Sequence, residues 1–451
     1  MLTFDIIKLW KEGGDMLLEL TNIAKIKKAT ISLDGITVIA GENNTGKSTI
    51  GKSLYCIFNA FYNSSEKLYM ERKESIAQYI RRYMQRVLSV KNRTATLFIS
   101  RQVSESMSEA LLREGMVASQ NELVELLITT TNQFPYPAYN NIPLELTNSI
   151  KENVEEYNSL FKQIGETLKI SDDEIQQIIV STYFSNEFDG QIQHLNHPDS
   201  LSKVTLSIKN RTISADFKKN NCRQIVENIN IITEAIYIDT PFILDNIGRI
   251  GVHDKSHRSI LLDKLSNNPN NNIVNEAISR KKLESVMDKI TKVADGKFVK
   301  DDSGADSFIE NGINKPIHLV NLSTGLKTFV IIKRLIENGS IKENGVLILD
   351  EPEIHLHPKW QLILAEVLVL LQKEFNLNIL LNTHSPYFLS AIEVFSEKHA
   401  VLDKCKYYLS DADDAGESGV IITDVSGRTE LIYKKLADPL QLLEDIRYGG
   451  N

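Results

Sequence analysis

The residues from Gly41 to Thr49 read Gly-Glu-Asn-Asn-Thr-Gly-Lys-Ser-Thr, two glycines with four residues between them, then a lysine and two hydroxyls. That order suits an anion. Glycines let successive backbone N–H groups turn inward, and a helix starting at the loop adds its partial positive charge. Gly41, Asn43, Asn44, Thr45, Gly46 and Thr49 would line a phosphate cradle. Lys47 would reach the β- and γ-phosphates of a nucleotide such as ATP, and Ser48 would offer its hydroxyl to Mg2+. A plain Gly/Asn turn capping a helix uses the same small residues. The lysine and hydroxyl at fixed offsets favour the cradle.

A cradle alone hydrolyses nothing; a carboxylate must hold the metal and another must activate water. The run Gly345–Leu349 ends in Asp350-Glu351. Asp350 would hold Mg2+, directly or through water, and Glu351 would polarise the attacking water as general base. A simple strand-end turn is the bland alternative. Asn378–Thr383 is a second apolar run with a polar tip, and His384 at that tip would hydrogen-bond the γ-phosphate or the water. Ser323, Gly325 and Lys327 precede the apolar segment 328–332, where Ser323 would cap a helix and create a second anion site. An ordinary N-cap would look the same.

These residues need strands that end at one edge and helices that start there. Gly35–Ala40 is a short apolar strand before the cradle, and Ser48–Phe61 has helical apolar spacing after it. Residues 345–349 fit a parallel strand buried on both faces, and its acidic tip lies where such sheets place ligands. Residues 17–40 read as strands, with alternation over 29–33 and a turn at Asp34-Gly35. Residues 62–200 turn helical, with Ser171 and the acidic residues after it as a helix start and Phe134–Pro143 as a proline-broken connector. Val204–Ile208 and Thr212–Phe217 read as a hairpin, and 234–242 as a buried strand ending at proline. Residues 243–296 return to mixed helix with an Asn-rich surface loop at 267–272; 296–299 and 307–309 suggest another hairpin.

The chain has 451 residues, 42% hydrophobic and 24% charged, enough for two or three domains with cores of their own. Its net charge of −8 argues against a surface built as a whole to attract nucleic acid. Cys56, Cys222 and Cys405 are odd in number and far apart, which implies neither a disulfide framework nor a metal knot and suits a reducing cytoplasm. No apolar run approaches a membrane span, and the first residues lack a signal-peptide core. Met16 stands just before the strand 17–20, so residues 1–15 read as an appendage.

Taken in order, the four stretches resemble the ABC-type ATPase head, and within it the SMC-like and OLD-like (overcoming lysogenization defect) branch. Gly41–Thr49 resembles the Walker A loop, Asn321–Lys327 a degenerate ABC signature, Leu347–Pro358 a Walker B strand running into a D-loop, and Asn382–Pro386 an H-loop. The Glu-Pro-Glu-Ile-His-Leu-His-Pro wording, with His355, His357 and Pro358, is similar to OLD-like prokaryotic ATPases. The signature has Thr324 and Leu326 where transporters have Gly and Gln, and no Q-loop glutamine follows Asp239-Thr240-Pro241.

The resemblance implies an α/β fold: a P-loop NTPase of ABC-ATPase head type, with a mixed sheet core, an antiparallel β subdomain and a large helical insertion. The head would comprise 1–61 and 201–451, with the insertion at 62–200. It implies Mg2+ and ATP as cofactors, slow ATP hydrolysis through Glu351 and His384, and a homodimer or higher homo-oligomer. In that assembly Ser323, Gly325 and Lys327 of one head would meet the nucleotide held by another.

OLD nucleases carry a Toprim domain with a D-x-D metal pair. Asp411-Ala412-Asp413-Asp414 has that spacing but sits among small residues as a surface turn would. The chain thus resembles heads without a built-in effector, such as the ATPases of PARIS and Septu anti-phage systems. The implied role is an ATP-driven sensor and scaffold for a separately encoded effector, a nuclease or Toprim-like protein. The alternative is an SMC-like repair ATPase that binds DNA. It draws on the basic segment 71–101, with Arg72, Lys73, Arg81, Arg82, Arg86, Lys91, Arg93 and Arg101, although the segment's apolar stripe also fits a solvated helix. A transporter subunit fits least, given the insertion and the degenerate signature.

Overall fold

The computed structural model describes residues 16–87, 93–115, 119–134, 146–148, 151–226, 231–247, 255–266, 283–412 and 419–448. The proposed appendage 1–15, the Asn-rich loop, Asp413 and Asp414 lie outside them. The chain forms two compact units, one of Met1–Tyr62 with Ile179–Asn451 and one of Asn63–Ile178.

In the first unit the chain begins with β1 (Met16–Ile23), β2 (Ile26–Ser32) and β3 (Ile36–Gly41), then α1 (Lys47–Phe61). The second unit holds α2 (Ser64–Val87), α3 (Arg93–Glu114), α4 (Gln120–Asn132) and α5 (Val154–Lys169). Ile80, Met84, Val103, Met107, Leu127 and Ile164 form its own core. α6 (Asp172–Phe188) carries the chain back to the first unit. Its start is a reciprocal cap: the Glu174 N–H donates to Ser171 Oγ at 3.2 Å and the Ser171 N–H donates to Glu174 Oε2 at 3.1 Å. The helical unit ends at Ile178, short of the expected residue 200, because from Ser181 onward α6 bonds within the first unit: Ser181 accepts from the Cys222 N–H at 2.9 Å and the Glu187 carbonyl from Lys52 at 2.9 Å.

The rest of the first unit follows. β4 (Ser202–Ile208), β5 (Arg211–Lys218) and β6 (Asn221–Val226) form a meander, and β7 (Ala235–Ile238) leads through a 3-10 turn (Pro241–Asn246) to α7 (His257–Ser266). β8 (Gly296–Lys300), β9 (Asp306–Glu310) and β10 (Ile317–His318) make a small antiparallel sheet. Then come α8 (Thr324–Glu337), β11 (Val346–Asp350), α9 (Pro358–Phe375), β12 (Asn378–Thr383), α10 (Pro386–Lys398), β13 (Cys405–Ala412), β14 (Val420–Asp424) and α11 (Glu430–Tyr448).

Eleven strands share one sheet in the order β6-β5-β4-β1-β2-β14-β13-β3-β12-β11-β7. The segment from β13 to β7 is parallel, and β6 to β2 is antiparallel. This mixed sheet with an antiparallel extension is the architecture expected from the motifs. Parallel strands need cover on both faces. Ile36, Val38, Leu347, Leu349 and Leu381 join a cluster with α8, α9 and α10, while Ile348 meets Gly51 of α1 on the other face. All six residues of β3 are buried. β3, β7, β11, β12 and β13 thus end along one edge, and that edge carries the chemistry. No described helix is long and apolar enough to cross a membrane.

Candidate active site

The phosphate loop joins β3 to α1. Gly46 takes a left-handed conformation (φ 83°) just before the helix, which glycine adopts without a Cβ penalty. Gly41 is required by contact: a Cβ there would lie 2.2 Å from the Ser410 carbonyl oxygen of β13. Ser410 also donates its hydroxyl to the Thr45 carbonyl at 2.5 Å, and Thr45 donates its own to the Glu42 carbonyl at 2.8 Å. Lys25 donates to Asn44 Oδ1 at 2.5 Å, and Lys435 of α11 reaches Glu42 at 3.4 Å and Asp411 at 3.2 Å. The loop is therefore braced from three elements. Glu42, Asn43, Asn44 and Ser48 are exposed along it.

Lys47 is buried and arches back over the loop, donating to the carbonyls of Gly41 (2.9 Å) and Glu42 (2.6 Å). Its ammonium lies 3.7 Å from Glu351 Oε1. Burial lowers its pKa, and the Glu351 and Asp350 charges oppose that fall.

Asp350 ends β11 with both carboxylate oxygens held: Tyr237 of β7 donates to Oδ2 at 3.1 Å and Asn382 of β12 donates to Oδ1 at 3.0 Å. Burial and the Asp350 and Asp239 carboxylates keep the Tyr237 phenol protonated, hence a donor. A fixed carboxylate and the exposed Ser48 hydroxyl are hard oxygen donors, and this set fits Mg2+, which takes few protein ligands and keeps water and phosphate for the rest.

Glu351 has a left-handed backbone (φ 47°), uncommon for a residue with a side chain, and its N–H donates to the Asn382 carbonyl at 2.9 Å. The turn aims its carboxylate back over the sheet edge, 3.3 Å from His384 Nδ1. Glu351 thus stands between Lys47 and His384. The next acidic residue, Glu353, is 2% exposed and accepts at Oε1 from the Thr383 hydroxyl (2.5 Å) and the His384 N–H (3.3 Å). Burial raises its pKa against those two hydrogen bonds, and Oε2 has no hydrogen-bond partner. Glu353 is the tether of the His384 tip.

The structure brings the phosphate loop, Asp350, Glu351 and His384 to one edge. Ser323, Gly325 and Lys327 stand apart. Ser323 caps α8, accepting from the Leu326 N–H at 3.4 Å, and a Cβ on Gly325 would lie 3.0 Å from the His355 carbonyl oxygen. Lys327 is 2% exposed and donates to Asp245 at 2.5 Å and to the Val320 carbonyl at 3.1 Å. Those contacts hold its ammonium in an ion pair within the head. His355 packs edge-on to Phe242, and His357 caps α9 by accepting from the Lys359 N–H at 3.3 Å. Asp411 ends strand β13 rather than occupying the expected surface turn.

Sequence reading passed over Tyr237, Asn382, Glu353 and Thr383. Only Glu353 left a local signal, as the third carboxylate in Asp-Glu-Pro-Glu. In the helical unit, the basic segment pairs with carboxylates: Arg72 with Asp172 (2.6 Å), Lys73 with Glu109 (3.4 Å), Arg81 with Glu74 (3.9 Å) and Arg101 with Glu105 (2.9 Å).

Comparison with known proteins gives three findings. The family model described as AAA ATPase domain matches residues 16–389. The chain is similar to the retron Vc95 probable ATPase of Vibrio cholerae serotype O1 biovar El Tor, at 27% identity over 409 residues, covering 84% of this chain and 71% of that one. Among solved structures it matches an SMC head bound to the C-winged helix domain of ScpA (12% identity, 92% and 99% of the two chains, TM-score 0.43). It also matches the SMC head domain from Thermotoga maritima (11% identity, 91% and 99%, TM-score 0.37).

Proposed function

The chain belongs to the AAA ATPase domain family, and from that premise we propose that it is an ATP-hydrolysing switch whose heads associate around nucleotide to control a separate effector. One observation carries the chemistry: Glu351 lies 3.7 Å from the buried Lys47 ammonium and 3.3 Å from His384, at the mouth of a phosphate loop. The backbone N–H groups of Gly41–Thr49 and the start of α1 bind the phosphates, and Lys47 leans onto the β- and γ-oxygens. Ser48 and Asp350 would hold Mg2+, which would offset the charge that builds on the phosphates. Glu351 takes a proton from water, and His384 orients that water or a γ-oxygen. Glu353 holds His384 at the edge. Asp350, flanked by Tyr237 and Asn382, keeps one orientation throughout.

Ser323 and Gly325 open α8, and an isolated helix start is an unfinished anion site. We assign them to the γ-phosphate of a second head packed head-to-tail; Lys327 takes no part. Nucleotide then joins two copies and hydrolysis separates them. The likeness to a retron ATPase supports a role in bacterial anti-phage defence beside a separately encoded effector, a nuclease or Toprim-like protein. The four ion pairs of the basic segment favour this reading over a DNA-binding repair ATPase. The cytoplasm is the proposed compartment.

The test is the mass of purified Glu351→Gln protein with and without Mg·ATP. A rise on adding ATP supports the nucleotide-joined dimer. A monomer under both conditions refutes it. Plaque counts with the effector gene present, for wild type against Glu351→Gln, test the defence role.

A further inference from the structure

The geometry points to Tyr237 as a positioning residue for the metal-holding carboxylate of Asp350, its ring clamped by a cluster of Glu187, His257 and Asp239. The inference deepens the reading of Asp350 as the Mg2+ carboxylate and rests on it. Tyr237 lies in β7, which pairs with β11 so that Tyr237 faces Ile348, two residues before Asp350. The side chain is 1% exposed, yet its hydroxyl reaches Asp350 Oδ2 at 3.1 Å. A core tyrosine needs only some acceptor. Here the acceptor is the carboxylate whose aim the chemistry depends on.

Two further features serve that hydroxyl. Gly51 of α1 leaves it room: a Cβ there would lie 3.4 Å from the Tyr237 oxygen and 3.1 Å from Ile348. The imidazole of His257 stacks on the Tyr237 ring with centroids 4.3 Å apart and planes inclined by 27°. His257 cannot turn. Its N–H donates to Glu187 Oε1 at 2.6 Å, its Nδ1 meets Glu187 Oε2 at 2.7 Å, and its Nε2 is 3.1 Å from Asp239. Asp239 is in turn gripped by Arg258 at 2.9 and 2.5 Å. Burying an ionisable pair such as Glu187 and His257 is costly, and apolar packing would hold a ring more cheaply. The cluster fixes the plane of the ring and so the direction of its O–H. It also links α6, α7 and β7 to Asp350, on the strand where no glutamine follows.

Partners of metal-binding carboxylates matter to metal affinity by about 10- to 100-fold. The test is equilibrium binding of a fluorescent ATP titrated with Mg2+, and again in EDTA, for wild type, Tyr237→Phe, Tyr237→Leu and Asp350→Asn. Tyr237→Phe is expected to raise the half-saturating Mg2+ by about tenfold or more and leave affinity in EDTA unchanged. Tyr237→Leu should show the same Mg2+ shift together with a lower Tm. An unchanged Mg2+ midpoint in Tyr237→Phe overturns the assignment, as does an effect seen only in Tyr237→Leu, which would make the ring a packing element. If Asp350→Asn binds Mg2+ with nucleotide as wild type does, the metal reading of Asp350 fails first and this inference falls with it.

Discussion

Replacing Glu353 tests the tethering of His384. The carboxylate is buried, and one of its oxygens accepts from both Thr383 and the His384 N–H. Glu353→Ala leaves two donors without an acceptor at a cost of about 1–3 kcal/mol each. Deleting a buried carboxylate relieves its own desolvation, so the net loss is about 2–4 kcal/mol. Glu353→Gln keeps the accepting oxygen but puts an amide N–H where Oε2 has no hydrogen-bond partner among the described residues; that cost of about 1–3 kcal/mol is offset by removing a carboxylate whose charge burial disfavours, so its loss at neutral pH is smaller than that of Ala. The sign with pH follows from burial, which raises the folded pKa above the ordinary carboxylate value of 4.5. The acid form's stability is present below 4.5 and lost as pH rises through the folded value, so the advantage of Gln over Glu grows toward alkaline pH. Thermal unfolding of the three proteins across pH measures this. Turnover reports the tip: Glu353→Ala should lower kcat by about 10- to 100-fold through misplaced His384, with ATP affinity little changed. Equal loss of Tm in Gln and Ala, or full turnover in Ala, would refute the tether.

Other outcomes follow from the same edge. Gly41→Ala sets a methyl 2.2 Å from the Ser410 carbonyl, so the loop must shift, and ATP binding measured by fluorescence should be lost. Ser410→Ala removes only the hydroxyl bond to Thr45, and a cost of about 1 kcal/mol in Tm-derived stability with intact binding is expected. Burial of His257 lowers its pKa, but its contacts with Asp239 and Glu187 overcome this and lift it above 6.5. Its stabilising contribution is therefore full below 6.5 and lost as pH rises through the raised value; an imidazole NMR midpoint at or below 6.5 would contradict this. Asp239, which burial would raise, is drawn down to about 2 by His257 and Arg258, so its contribution is full above its ordinary value of 3.8 and lost only as pH falls toward 2.

The parts of the site legible in sequence are those written in consecutive residues. Gly41–Thr49, Asp350-Glu351 and His384 each announce themselves by local spacing, and the sheet edge gathers them. The parts that were not legible depend on register between distant strands. Tyr237 meets Asp350 across 113 positions, and Ser410 meets Thr45 across 365. Nothing near Tyr237 in the chain says that it donates to a carboxylate. The partner of Lys327 is hidden for the same reason: Asp245, with which it pairs, lies 82 positions earlier in the chain. The bounds of strand β13 are not legible because Cys405–Ala412 mixes polar and aromatic residues in a pattern that names no face.

The placement of β3 has a consequence for biosynthesis. Both neighbours of this strand, β12 and β13, come from residues 378–412, while β3 itself ends at Gly41. On a ribosome adding about 5–20 residues per second, the phosphate-loop strand emerges early and waits tens of seconds for its flanking strands. The helical unit Asn63–Ile178, built from contacts within its own span, can condense in the meantime. Nucleotide therefore has no finished pocket to enter until β13 has been made and Ser410 closes over Thr45. A chain truncated by a premature stop before residue 405 would carry every motif of an ATPase and still lack the strand that holds its phosphate loop in place.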